Sequence, residues 1–171
     1  GNDSSNSKIT ANNSTLNFKS NTVNDAIITL SNKSQLISNN DSVISTEINI
    51  DNTSSANIND GIATRSVINN DGRLDIANSS TSSATIKNSG ELFSSGNNGD
   101  SVDIVNEYAG KMYLKEGNSF THSTLNNTGK LFINGQQDVD GSTLDNTGIA
   151  YLTDTLLTGD SILNNLSLIH I

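Results

Sequence analysis

The sequence contains no cysteine, no proline and no tryptophan, and aromatic residues make up only 4% of its 171 positions. Without cysteine there can be no disulfide framework, no CxxC redox pair and no thiolate metal site. Hydrophobic residues reach only 32%. Nowhere do about 20 apolar residues follow one another, as a transmembrane helix requires. Nine Lys and Arg stand against 18 Asp and Glu, for a net charge of −9. Scattered basic residues in so acidic a chain argue against nucleic acid and anionic membrane surfaces as partners. What abounds is Asn, Ser and Thr, together roughly two residues in five. That composition fits either a disordered polar chain or a solenoid whose thin core is shared between stacked coils. The length suits one domain.

Periodicity decides between them. Asn70-Asp71-Gly72, Asn88-Ser89-Gly90, Tyr108-Ala109-Gly110, Asn127-Thr128-Gly129 and Asn146-Thr147-Gly148 place glycines at steps of 18, 20, 19 and 19. Ile68, Ile86, Leu125 and Leu144 lie four before their glycines, and Val105 takes that role five before Gly110. After the glycines the chain alternates: Leu74 and Ile76, Leu92 and Ser94, Met112 and Leu114, Leu131 and Ile133, Ala150 and Leu152. Alternation over four or five residues marks a half-buried strand. Glycine is expected to supply a corner with positive φ, and the Asn before it tolerates the same conformation. A third apolar position follows at Phe120, Val139 and Leu157. A second corner follows at Gly99-Asp100-Ser101, Asp140-Gly141-Ser142 and Gly159-Asp160-Ser161.

The pattern predicts an all-β fold, a right-handed parallel β-helix of about eight to nine coils with about 19 residues each. Residues 1–8 are expected to be a disordered N-terminal end, and 9–171 a single β-helix domain. Within it 9–65 form irregular coils and 66–171 the regular Asn-x-Gly coils. Polar side chains at equivalent positions can stack as hydrogen-bonded ladders. Asn88, Asn127 and Asn146 are candidates for one such ladder, and Thr85, Thr124 and Thr143 for an outward one. The β-rich segment Ile162–Ile171 could pair with a second chain, so an end-to-end homodimer is a further expectation.

Chemistry-bearing patterns are sparse. Asp138 and Asp140, with Asp154 and Asp160 one coil on, read as solvated corners. His122 and His170 stand alone, outside any ligand motif. There is no GxSxG elbow, P-loop or Ca²⁺-binding nonapeptide. No catalytic residue, metal site or cofactor is expected. Lys111, Lys115 and Lys130 could meet Glu91, Glu107 and Glu116 in exposed ion pairs, each worth about 0–1 kcal/mol. The best candidate ligand-binding residues are Phe93, Tyr113, Phe132 and Tyr151, each three after its glycine. They would form an aromatic ladder, facing either inward as a core stack or outward as a contact ribbon.

The strings Asn88-Ser89-Gly90-Glu91-Leu92, Asn127 through Gly135 (NTGKLFING) and Asn146-Thr147-Gly148 resemble the repeats of bacterial β-helix surface adhesins. The likeness is to autotransporter passenger domains of the AIDA-like and pertactin-like group, and next to the large exoproteins of two-partner secretion. It implies a passenger fragment exported by a Gram-negative bacterium to the outer-membrane exterior. There it would act in adhesion, aggregation or biofilm formation. The implied partners are a host-cell or bacterial surface protein or glycan, or a second copy, without membrane insertion. A polysaccharide-binding or polysaccharide-cleaving β-helix is the alternative.

Overall fold

The computed structural model describes residues 3–158, 160–166 and 169–170. The fold is an all-β parallel solenoid of about eight turns, with no helix among the described residues. Three faces recur in chain order. Face A stacks nine strands, beginning with Lys8–Asn12 and Ile27–Ser31 and running to Thr143–Asn146 and Ile162–Asn165. Face B stacks Thr15–Lys19, Gln35–Asn39, Ser55–Asn59, Arg73–Ala77, Glu91–Ser95 and Lys111–Leu114, then the first parts of Lys130–Asp138 and Ile149–Thr158. Face C stacks shorter strands, among them Thr22–Asn24, Ile62–Thr64, Asn98–Asp100 and Asn118–Thr121. Faces B and C form one 16-stranded sheet, because Lys130–Asp138 runs through the corner between them and pairs on both.

Every pairing among the described strands is parallel, with a register shift between Asn134 and Gln136 in the pairing of the two long strands. On face A the register aligns Ile9, Ile28, Ile48, Ile68, Ile86, Ile104, Leu125, Leu144 and Leu163, at steps of 19, 20, 20, 18, 18, 21, 19 and 19. Alternate side chains point inward, and the core is a column of Ile, Leu, Val and Ala with Met112 and Phe120. Each fully buried Ile or Leu is worth about 1.5–3 kcal/mol, so a few per coil hold a coil whose top and bottom are covered by its neighbours.

The corners differ from the sequence-based expectation in three ways. First, Gly72, Gly90, Gly110, Gly129 and Gly148 are not at positive φ; among the described glycines only Gly96, Gly117, Gly135 and Gly141 are. The corner glycines are needed for close approach instead. A Cβ on Gly129 would collide with the Gly110 and Glu107 carbonyl oxygens, and one on Gly148 with the Gly129 oxygen. Those oxygens are occupied: the Lys130 and Ile149 amides donate to Gly110 and Gly129 at 2.9 Å. Second, apart from Asn13, Asn32 and Lys33 at the A-to-B corner of the first coils, the left-handed residues sit at the other two corners. Ser20, Asn40, Asp60, Asn78 and Gly96 turn the chain from B to C; Asp25, Ser45, Arg65, Ser83, Ser101 and His122 turn it from C to A. Asn, Asp and Ser predominate because short polar side chains tolerate that conformation best.

Third, Ile104 and not Val105 fills the core position, paired with Ile86 and Leu125. The extra length follows Asn106, in a corner that projects Tyr108 at 90% exposure. Residues 3–5 pair with 22–24, and Lys8 opens the first face-A strand, so the described part of 1–8 lies within the solenoid. Residues 9–65 keep the same register as the later coils, with corners turned by Asn, Asp and Ser. Phe120 is buried, facing Gly99, where a Cβ would meet its ring. Val139 packs against the core, and Gly159 and the Leu157 side chain lie outside the described residues.

Candidate functional site

Face B carries the four stacked aromatic side chains, and strand alternation sets their direction. Leu92, Met112, Leu131 and Ala150 are buried. Their chain neighbours Phe93, Tyr113, Phe132 and Tyr151 therefore project outward, and each is half-buried. The rings stack in register with centroid separations of 4.6, 4.7 and 4.9 Å and interplanar angles of 4°, 9° and 6°. The spacing is that of the strands themselves, about 4.8 Å. Successive rings cover one another's faces, so the ladder presents ring edges to solvent. Ring edges carry the positive end of the aromatic quadrupole.

One end of the ladder is closed by charge. Arg73 lies one strand before Phe93 and sets its guanidinium 4.1 Å from that ring's centroid. Asp75 holds it there with two hydrogen bonds, accepting from Nε at 2.7 Å and from an Nη at 3.0 Å. The Asp75 hydrogen bond also raises the Arg73 pKa. Beside the rings runs a column of Arg73, Glu91, Lys111 and Lys130. Lys111 donates to Glu91 at 3.1 Å, and this bond raises the lysine's pKa. On the other side an open groove of about 520 Å³ is lined by Tyr113, Phe132, Tyr151, Lys115, Glu116 and Asn134, among others. A hollow of about 490 Å³ continues from Glu116 to Gln136 and Asp138.

The corner that opens this face is braced from inside, where buried asparagines of face A donate to the Glu91, Lys111, Lys130 and Ile149 carbonyls. Asn70, Asn88, Asn106, Asn127, Asn146 and Asn165 form one ladder, each Nδ2 donating to the next Oδ1 at 2.7, 2.7, 2.6, 2.6 and 2.7 Å. All but Asn165 are buried. Sequence reasoning placed Asn88, Asn127 and Asn146 in it. It left out Asn70 and Asn165 at the two ends, and it missed Asn106 because the inserted corner breaks the Asn-x-Gly spacing. The ladder starts at Asn70 because Ile50 occupies the position before it. Asn70 Oδ1 is accordingly a buried acceptor with no partner. The threonine row is interrupted: Asp103 stands between Thr85 and Thr124, and accepts from the Thr124 hydroxyl at 2.5 Å.

His122 sits at an exposed corner, its Nδ1 3.3 Å from Asp100. The backbone of His170 pairs with Tyr151, and its side chain lies outside the described residues. Among the described residues no three metal-ligating side chains gather. Asp140 accepts from the backbone amide of Asp160 at 3.2 Å.

No protein-family model matches the chain. No curated protein matches it either. Among solved structures it is similar to the crystal structure of the TibC-catalyzed, hyper-glycosylated fragment 55–350 of TibA. The TM-score is 0.41 and the identity 15%, over 99% of this chain and 92% of that one.

Proposed function

We propose that this chain is part of a bacterial surface-exposed solenoid passenger, acting as an adhesin or self-association module with face B as its contact face. The observation that carries the reading is the unbroken outward ladder of Phe93, Tyr113, Phe132 and Tyr151. Four half-exposed rings on consecutive strands form an extended, preorganised strip. A strip fixed by backbone pairing and an internal amide ladder loses little further entropy on contact. Weak contacts repeated along an axis then sum through multivalency. The partner is a host-cell or bacterial surface protein or glycan, or another copy, met at the exterior of the cell.

The test is display of the chain on non-aggregating bacterial cells, with settling and surface attachment as readouts. Replacing Phe93, Tyr113, Phe132 and Tyr151 together by Ser is expected to reduce attachment several-fold while circular dichroism keeps its strand signal. Attachment unchanged by that replacement overturns the reading. The groove from Tyr113 to Asp138, with Glu116 between, favours a second reading as a polysaccharide-binding or polysaccharide-cleaving β-helix. Release of reducing ends from a polysaccharide would mark cleavage.

A further inference from the structure

The surface charge is unevenly placed. The chain carries 9 basic and 18 acidic residues. The face-B strands, counting 130–134 and 149–153 of the two long ones, hold Lys19, Arg73, Lys111 and Lys130 but only Asp75 and Glu91. That face is +2, which leaves 5 basic and 16 acidic residues, or −11, for the rest. Arg73 is matched by Asp75 and Lys111 by Glu91. Lys130 has no ion-pair partner among the described residues. It stands in register with Lys111 on the preceding strand of the face. Like charges opposite one another on paired strands disfavour folding. An anion bound there relieves that repulsion, and the ring edges beside it present positive charge in the same direction.

We infer that face B binds a linear acidic polysaccharide, a chain bearing carboxylate or sulfate groups, laid along the solenoid axis. Its anionic groups rest on Lys111 and Lys130 and its sugar rings run against the edges of Phe93, Tyr113 and Phe132. Both faces of Phe93, Tyr113 and Phe132 are covered, by Arg73 or by neighbouring rings, which excludes the flat stacking that a neutral sugar would use on them. The exposed Glu107 and Glu116 on the flanking corners admit a narrow single strand and repel a wide polyanion such as duplex nucleic acid. The inference rests on face B being the contact face and supplies its ligand.

The test is calorimetric titration of the whole chain with polygalacturonate, with its fully methyl-esterified form, and with a sulfated polysaccharide. The two acidic polymers separate the carboxylate source from the sulfate source. Either or both bind and the ester does not. Affinity falls about tenfold or more between roughly 50 mM and roughly 500 mM salt. Lys130→Gln weakens binding and Lys111→Gln/Lys130→Gln abolishes it, with unchanged circular dichroism. Lys8→Gln on face A has no effect. Equal binding of the ester, no binding of either acidic polymer, indifference to Lys130→Gln, or association only with a second copy overturns the inference. Displayed cells that attach through the rings while neither polymer binds would defeat this inference and leave the surface-contact reading intact. Polymer binding alongside attachment indifferent to the ring-to-Ser variant would do the reverse.

Discussion

Two kinds of glycine hold this chain together, and they respond differently to the same substitution. Gly129 is not at positive φ but has no room, because a Cβ would strike two carbonyl oxygens of the preceding coil. Gly117 has room, since an alanine methyl there would have its nearest neighbour at 3.6 Å, but its φ is +85°. Gly117→Ala is therefore expected to cost only the left-handed penalty, about 1–2 kcal/mol. Gly129→Ala must displace backbone that is hydrogen-bonded in place, and is expected to cost more, about 3 kcal/mol or above. Urea unfolding of both variants checks the order. The asparagines make a related distinction. Sequence spacing gave Asn106 no place, yet it donates to Asn127 and accepts from Asn88 like every other member. What fixes a member is its register on face A, and the insertion lies just beyond it.

Corners are the elements in which the coils vary. Where Ile50 replaces the ladder asparagine, the next corner is longer and Asp51 organises it. The Ser54 hydroxyl is the chief cause that lowers the Asp51 pKa from 3.8 to about 2; the Asn32 amide and Thr53 add to it, against a burial effect that raises it. A carboxylate with a depressed folded pKa contributes stability that is fully present above its unfolded pKa and is lost as pH falls through the folded one. The stability gap between the protein and its Asp51→Asn variant should thus be widest above about pH 4 and close as pH falls toward about 2. Thermal melts across that range test it. A gap that stays constant with pH would show that the loop is held by its backbone and not by the carboxylate.

At the scale of the molecule each coil touches only its neighbours, so stability should be roughly a sum over coils and their interfaces. The step from Ile68 to Ile86 is 18 residues in register. Deleting residues 68–85 should therefore seat the Ile86 coil on the Ile48 coil and leave a shorter, folded solenoid with an unchanged strand signal and a moderately lower Tm. Loss of the cooperative transition would count against additive coils. The same vertical repetition makes face B a single strip, since a residue placed once per coil becomes a column about 4.8 Å in pitch.

The sequence by itself determined the period, the strand alternation and so the parallel solenoid, because apolar side chains and corner residues must recur wherever coils stack. It also aligned the four rings, three after four glycines. It left their direction open, since either alternate set of a strand can face a core until burial is known. Only the tertiary structure turned Leu92, Met112 and Leu131 inward and the rings outward. It also replaced a conformational reason for the corner glycines with a steric one: the colliding atoms belong to another coil, about 19 residues away in the chain and invisible to any local reading.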